Sequence, residues 1–289
     1  MASGDFHSTA RRLRNLVEPL AAAVYFAPEA HRRYADLGLN WFEGYFCSRS
    51  ACLGAAPWTV VTAAFAAFNP DAVRPAVTGG WEKTTPAALL AARQAGAVEQ
   101  LERLIGPVAA RADVARVTEI LFAATDGIDP SGRALYAGLS ALPRPEGSIA
   151  ALWRAADLVR EHRGDGHIAA WIPHVDATEI TILTELMWRI PPRSYVYTRG
   201  WTEAQVDAAC ERLRDRGLID GEQLTEAGRE LREHIEKTTD LAAGAVVERI
   251  GDDADELFAL LQPWSAAIVA GGGYPVDPSR LMDTVAPEG

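Results

Sequence analysis

Two histidines and an aspartate lie close together in the segment REHRGDGHIAAW, residues 160–171. They could form a general acid/base centre in which Asp165 orients the ring of His162 or His167, with imidazoles that titrate between about pH 5.5 and 7.5. Because each of the two glycines costs a helix interior about 1 kcal/mol relative to alanine, we expect the backbone to bend here. Two interpretations remain open: a cavity lined by these groups, and a polar joint in which Asp165 caps the next helix.

The same residues make a poor metal site. His162 and His167 are five positions apart, which is not the i, i+4 spacing of histidine ligands on one helix face. Cys47 and Cys52 form a C-x4-C pair without a second pair, so we interpret them as small buried apolar residues. We therefore predict no metal site, and the sequence leaves any cofactor unknown.

Arginines set among aromatic residues mark two further segments. Arg49 ends the aromatic run WFEGYFCSR, and RIPPRSYVYTRG carries a second set. A guanidinium in such surroundings either stacks on a ring or binds an anion in a pocket. Together with Arg163 of residues 160–171, side chains from these two segments form the predicted ligand-binding set: Tyr45, Arg49, Arg163, Tyr195, Tyr197 and Arg199.

A weak internal repeat links these two segments. YFCSR at 45–49 precedes a Trp-Thr pair at 58–59, and YVYTR at 195–199 precedes a Trp-Thr pair at 201–202. A predicted helix follows each pair, although the two spacings differ by seven residues. If the repeat is real, it implies two winged-helix-like halves with a pocket between them.

The composition is that of an ordinary soluble globular protein, with 48% hydrophobic and 23% charged residues. The net charge of -11 opposes binding to polyanions unless a local basic patch exists. The chain has neither a run of about 18 apolar residues nor the apolar core of a signal peptide, so we expect a cytoplasmic protein without membrane contact. Its three cysteines then favour reduced thiols.

Helical periodicity covers nearly the whole chain, so the predicted fold class is mainly α and multi-helical. Residues 86–105, for example, predict a helix that stops at Gly106-Pro107. The proline-bounded stretch ALPRPEGS divides the chain into an N-terminal helical domain at 1–142, interpreted as a degenerate winged helix if the repeat is real, a winged-helix-like domain at 148–270 and a C-terminal tail at 271–289. The apolar segment ADELFALLQPWSAAIVA predicts a final helix that could supply a homodimer face.

Residues 200–240 carry the most informative pattern, GWTEAQVDAACERLRDRGLIDGEQLTEAGRELREHIEKTTD. Thr202 caps a predicted helix that ends at Gly217, LIDGEQLT predicts a tight two-stranded wing, and Glu226 begins another helix. This order resembles the winged helix-turn-helix of MarR-type regulators, with LTEAG at 224–228 as its most specific part. Together with YFCSRSACLG and REHRGDGH, it makes the whole chain similar to an actinobacterial helix-turn-helix family often labelled SalK-like.

MarR-type proteins insert the helix before the wing into the major groove, and the charge of this chain opposes such an insertion. Between positions 202 and 225, six acidic side chains stand against three arginines, a net charge of -3, and the wing contains no arginine. The carboxylates of Glu203 and Asp207, at the start of that helix, would be repelled by phosphate. We therefore expect no specific DNA binding.

We interpret the protein as a small-molecule-binding protein on a winged-helix scaffold that has lost DNA readout. The resemblance implies a setting in natural-product biosynthesis or resistance, where the protein would sequester or transform an aromatic or amphipathic metabolite. Two alternatives remain: a MarR-like ligand-responsive transcription regulator, and an enzyme with an acid/base centre of His162, Asp165 and His167. The residues leave open whether any reaction is catalysed.

Overall fold

The structure, a computed structural model, describes residues 3–275, with side chains from residue 6 onward. It is mainly helical, as predicted, and the described residues up to 142 form helices and no strand. The helices of this first half are α1 (Ser3–Ala22), α2 (Pro28–Asp36), α3 (Trp41–Ser50), α4 (Trp58–Phe65), α5 (Pro70–Lys83), α6 (Pro86–Ile105), α7 (Arg111–Thr125) and α8 (Ala134–Ser140). Short 3-10 turns follow α1 and α3, at Ala23–Phe26 and Ala51–Leu53.

The second half contains one long helix, a helix-turn-helix segment with a small hairpin, and two closing helices. Its elements are α9 (Ser148–Trp171), α10 (Ala177–Trp188), α11 (Ser194–Tyr197), α12 (Glu203–Asp215), β1 (Ile219–Asp220), β2 (Gln223–Leu224), α13 (Glu226–Ala242), α14 (Gly244–Ile250) and α15 (Ala254–Ala270). A 3-10 turn, Gly251–Asp253, joins the last two helices.

The helix-turn-helix segment forms where the sequence predicts it. The hydroxyl of Thr202 caps α12 by accepting a hydrogen bond from the backbone N–H of Gln205. Gly217 follows the end of α12 with a φ of +65°. Strands β1 and β2 then pair antiparallel, with Ile219 opposite Leu224, so the predicted two-stranded hairpin is present.

The glycine of the LTEAG run has a packing role. A Cβ atom on Gly228 would lie 2.0 Å from the carbonyl oxygen of Leu218, which is far inside van der Waals contact. Only glycine therefore lets α13 cross the backbone before β1 this closely. The most specific part of the sequence pattern thus fixes how the hairpin sits on the helix that follows it.

The predicted bend at residues 160–171 is wrong, because α9 continues through both glycines. A Cβ on Gly166 would lie 2.8 Å from Nη1 of Arg133 and 2.9 Å from Cβ of Ala242. Arg133 also donates to the carbonyl oxygens of His162 and Ala242, and so ties α9 to α13. Gly166 is therefore a point of close packing, and these tertiary contacts offset its helical cost of about 1 kcal/mol.

Three clusters of buried apolar side chains hold the described helices together. The largest lies around α9 and includes residues on both sides of the predicted linker, such as Leu121 and Trp153. A second lies beneath the hairpin, and a third joins α3, α4 and α5. The division into 1–142 and 148–270 stays a prediction, and the predicted tail lies outside the described residues from position 276 onward.

The apolar face of α15 packs inside the protein. Leu257, Leu261, Trp264 and Ile268 belong to the largest core, where α15 lies against α1. This packing uses the face that was predicted for a dimer contact, so that assignment is wrong, while the homodimer itself stays a prediction. Across residues 3–275, no helix is long and apolar enough to cross a membrane.

Candidate functional site

A cleft of three adjoining cavities lies along α1 and α9, and α10, α11 and α13 bound its central part on the other side. Its central cavity has a volume of about 520 Å³. A smaller cavity of about 130 Å³, the histidine cavity, shares Arg163 and His167 with it. A third cavity of about 120 Å³, the tyrosine cavity, shares Tyr195 and Tyr274 with the central one. The three cavities together are called the cleft.

The central cavity combines aromatic rings with charged groups. Trp171, Trp188, Tyr195 and Tyr274 provide the rings. Burial raises the pKa of Tyr274, so its phenol stays neutral beside the cavity. The charged side chains of the lining are Arg14, Glu18, Arg163, Arg232 and Glu236. Such a cavity can hold the apolar body of a small molecule and orient it with a few polar groups.

Both predicted histidines border the cleft, and both are neutral. His162 is 1% exposed, and its Nδ1 has no hydrogen-bond partner among the described residues. Burial lowers the pKa of His162 to about 4, and Arg133 adds to the decrease. Burial also lowers the pKa of His167 to about 3. The expected titration between about pH 5.5 and 7.5 is therefore wrong for both rings.

The hydrogen bonds of His167 define which of its nitrogens carries the proton. The hydroxyl of Thr239 donates to the carbonyl oxygen of Ile235 at 2.8 Å, so it accepts from Nδ1 of His167 at 2.9 Å. Nδ1 is thus protonated in the neutral ring. Nε2 is then an acceptor on a side chain that lines both the central and the histidine cavity.

Asp165, the third residue of the predicted acid/base centre, does not border the cleft. Its Oδ2 accepts the backbone N–H of Tyr136 at 3.0 Å, so the carboxylate caps α8 across a tertiary contact. No hydrogen bond joins Asp165 to His162 or His167 in the described part of the chain, and burial raises its pKa to about 6. The predicted roles of Asp165, orienting an imidazole or capping the next helix in sequence, are therefore wrong.

Arg49 borders the histidine cavity but is already paired. Its Nε and Nη2 donate to the two carboxylate oxygens of Glu161 at 2.8 Å and 2.7 Å. Burial opposes ionisation of Glu161, but Arg49 and Arg160 lower its pKa to about 2. Arg160 also bonds Glu18 at 3.1 Å. The charge of Arg49 is therefore neutralised, and it is not the free anion-binding group that the aromatic segment suggested.

The tyrosine cavity brings together the two segments of the internal repeat. Tyr45 and Tyr195 both line it, and so does Arg199. The guanidinium of Arg199 lies 4.2 Å from the ring centre of Tyr195 and donates to the Tyr195 hydroxyl. Arg49 donates to the Tyr45 hydroxyl at 3.5 Å, so each segment forms the same arginine–tyrosine pair. Tyr197 lies outside the lining and packs against the second core.

Three arginines converge on Glu236 at the central cavity. Nitrogens of Arg14, Arg163 and Arg232 lie 3.8 Å, 3.1 Å and 3.0 Å from its carboxylate oxygens. Burial opposes the charge of Glu236, but the three arginines around it lower its pKa to about 2. Arg232 is 2% exposed, and its Nε and Nη1 have no hydrogen-bond partner among the described residues. Burial lowers the pKa of the Arg232 guanidinium, because it disfavours the charged form.

This cluster was not predicted from the sequence, although α13 carries a signal for it. Arg232, Glu236 and Asp240 recur every four residues on the buried face of the helix, where an amphipathic helix would usually place apolar residues. Charged residues at such positions mark either an internal ion network or a site. Arg14, on α1, offers no comparable signal, because its partners are far away in the sequence.

A larger groove of about 1110 Å³ lies on the other side of Arg232, beside the hairpin. Its rim consists largely of exposed residues such as Met187, Asp220 and Glu222. We place the candidate site in the cleft because the buried charged groups and most of the predicted residues border it. Seven of the nine predicted site residues do so: Tyr45, Arg49, His162, Arg163, His167, Tyr195 and Arg199.

The start of α12, which would read bases in a MarR-type protein, is engaged within the chain. The Asn69 amide donates to the carbonyl of Gly200 at 2.8 Å and to the side chain of Gln205 at 3.1 Å. The indole of Trp201 donates to the carbonyl of Ala67 at 3.0 Å. The loop between α4 and α5 therefore lies against this end of α12.

Arg212 of α12 and Arg216 in the following turn are likewise paired. Arg212 donates to Asp176 and Glu179, and Arg216 donates to Glu179. Asp207, on the exposed side, is paired with Arg193. These ion pairs reduce the positive charge that α12 could direct at a phosphate backbone.

Across residues 3–275, no group of three or more histidine, cysteine, aspartate or glutamate side chains is arranged to hold a metal ion. Cys47 is fully buried, and burial raises the pKa of its thiol to about 12. Cys52 and Cys210 are free thiols with intermediate exposure.

A family model described as a helix-turn-helix family matches residues 10–275, a range that includes the cleft and the hairpin. No curated protein and no solved structure matches the chain.

Proposed function

The chain belongs to a helix-turn-helix family, and we propose that it binds a small aromatic or amphipathic molecule in the cleft. The observation that supports this proposal most strongly is the central cavity of about 520 Å³, which combines four aromatic side chains with three arginines, of which Arg232 is fully buried. Its volume lies within the range of roughly 300–1,000 Å³ that is usual for small-molecule sites.

We further propose that the helix-turn-helix segment is a MarR-type winged helix without DNA readout. The contacts of Asn69 and Trp201 at the start of α12, and the acidic hairpin, support this proposal. The role in natural-product biosynthesis or resistance, and the kinship with SalK-like actinobacterial proteins, rest on the sequence resemblance alone.

A ligand-responsive transcription regulator is the second candidate, and family membership favours it. Such a regulator would need a dimer that presents two recognition helices about one DNA turn apart. An acid/base enzyme gains no support from the geometry, since Asp165 is bonded to the backbone of α8 and not to an imidazole.

Fluorescence of 8-anilinonaphthalene-1-sulfonate (ANS), an amphipathic aromatic anion, tests binding in the cleft. We expect one ANS molecule per chain, with quenching of tryptophan fluorescence because Trp171 and Trp188 line the central cavity. Ala67→Phe adds a ring to that lining and should weaken binding about tenfold or more. Ala63→Phe, at an exposed position on α4, is the matched control and should bind like the parent.

Melting temperatures of both variants establish that they fold. Absence of ANS binding, or binding that Ala67→Phe leaves unchanged, would contradict the cleft as the binding site. Native mass spectrometry of protein purified from the cells that make it adds an independent readout, because a retained small molecule would identify the natural ligand by mass.

A further inference from the structure

We propose that Arg14, Arg163 and Arg232 form a carboxylate-binding subsite in the central cavity, so that the ligand is an aromatic monocarboxylic acid. This inference rests on the proposed binding function and specifies the chemical class of the molecule bound. Two observations support it: the charge balance of the arginines and carboxylates around Glu236, and buried guanidinium nitrogens that have no hydrogen-bond partner among the described residues.

The charge balance of the cluster is positive. Four guanidiniums meet three carboxylates here: Arg11, Arg14, Arg163 and Arg232 against Glu233, Glu236 and Asp240. Glu18, the other carboxylate of the cavity lining, belongs to a neighbouring neutral set, in which Glu18 and Glu161 are paired with Arg160 and Arg49. His167, which lies beside them, adds no charge because burial lowers its pKa to about 3. The cluster thus has an excess of one positive charge in a largely buried place, where an uncompensated charge is costly.

The unpartnered donors belong to two of the three arginines that line the central cavity. Nε and Nη1 of Arg232 and Nε of Arg163 are buried and have no hydrogen-bond partner among the described residues. Both side chains, together with Arg14, line the central cavity. Since buried guanidinium donors are normally satisfied, these three nitrogens indicate a missing acceptor, and a carboxylate offers two oxygens with about four lone-pair sites.

The excess of one positive charge favours an anion with a single negative charge. One carboxylate neutralises a charge of +1, whereas a phosphate monoester with close to two negative charges would leave the cluster negative. The rings of Trp171, Trp188 and Tyr195 lie on the same lining and suit a flat apolar body. The two features together specify a molecule with an aromatic ring and one carboxylate.

Competition between ANS and a matched pair of molecules tests the subsite. 2-Naphthoate carries the carboxylate, and 2-naphthamide has nearly the same shape without the charge. We expect 2-naphthoate to displace ANS about tenfold or more better than the amide, because the charged group alone makes charge-assisted hydrogen bonds. Arg232→Gln should remove most of that preference while leaving the affinity for the amide nearly unchanged.

Arg229→Gln is the matched control, since Arg229 lies one turn earlier on α13, is exposed and does not line the central cavity. Arg163→Gln gives a second variant should Arg232→Gln lower the melting temperature strongly. Equal competition by acid and amide, or competition by neither while ANS still binds in the cleft, would overturn the subsite and leave the proposed function standing. Loss of ANS binding to the parent protein would instead overturn the proposed function.

Discussion

His162 and His167 lie in α9, the helix around which the largest core is built. Burial disfavours an imidazolium at both positions; Arg133 adds to this effect at His162, whereas at His167 Glu236 opposes it and the nearby arginines support it. Burial is the largest effect on each ring, so the histidines of the cleft offer hydrogen-bonding groups and no charge at neutral pH. The pKa of Asp165 in the same helix shifts in the opposite direction: burial raises it, because burial disfavours the ionised carboxylate.

These opposite shifts predict how stability depends on pH. From about pH 4 to pH 6.5 the unfolded chain binds protons on both histidines while the folded chain does not, so their contribution to the free energy of unfolding rises with pH. Asp165, with its pKa raised to about 6, opposes this rise, since the folded chain holds the extra proton from about pH 4 to pH 6.

Urea unfolding at about pH 5, 6 and 7 measures the slope. His162→Gln should flatten the rise of stability with pH, and Asp165→Asn, whose amide oxygen can still accept from Tyr136, should steepen it. Parent-like slopes in both variants would show that neither side chain is buried as the structure has it.

Individual side chains could be predicted from the sequence more easily than their partners. The sequence predicts that Arg49, among aromatic residues, either stacks on a ring or binds an anion in a pocket; its guanidinium lies 4.5 Å from the centre of the Phe65 ring, and the side chain borders the histidine cavity. Its partner Glu161 follows 112 residues later, and nothing local in the sequence joins the two. Whether an arginine is free or paired depends on such long-range contacts, so the sequence could predict an aromatic environment for Arg49 but could not reveal that its charge is neutralised.

At the scale of elements, local signals predicted helices well where caps and stops are strong. The helix predicted at 86–105 is confirmed as α6, with Thr85 as its cap. The segment Pro70–Lys83 was not predicted, because Pro75 and the Gly79-Gly80 pair weaken its helical signal. The bend predicted in α9 failed for the related reason that tertiary packing overrides propensity.

The two glycines of α9 give a matched test of that explanation. The Cβ atom added by Gly164→Ala would contact only Oε2 of Glu161, at 3.5 Å. This substitution should therefore stabilise the protein by up to about 1 kcal/mol, the usual gain when alanine replaces glycine in a helix. Gly166→Ala would place its methyl group against Arg133 and Ala242 and should destabilise the protein by about 1–3 kcal/mol.

Urea unfolding of both variants at one pH provides the comparison, with each serving as the control for the other. If both substitutions stabilise the protein, α9 and α13 do not approach as closely as the structure shows.

At the scale of the whole molecule, the net charge of -11 coexists with a positive cluster inside the cleft. Net charge determines the long-range field, whereas burial and pairing determine which groups a ligand meets. The composition could therefore argue against polyanions at the surface, but it could not reveal an internal site for a small anion. That site requires α1, α9 and α13 to converge, which only the folded chain shows.

The distribution of charge over the surface leads to the prediction that this protein does not bind duplex DNA selectively. Glu203 and Asp207 lie exposed at the start of α12, Gln205 is bonded to Asn69, and the hairpin tip carries Glu222. Electrophoretic mobility shifts with the promoter region of its own gene, at about 150 mM salt, should show no selective complex tighter than roughly micromolar.

The double variant Glu203→Arg/Glu222→Arg controls for the sensitivity of this assay. It replaces two exposed carboxylates with guanidiniums and should gain weak, sequence-independent retention of DNA that falls steeply as salt is raised, because each phosphate contact releases counterions. The parent should show neither this retention nor a preference among sequences. A parent complex that is salt-sensitive, prefers its own promoter over a scrambled duplex and forms below micromolar concentration would mean that α12 reads DNA, and the regulator would then replace the binding protein as the function of this chain.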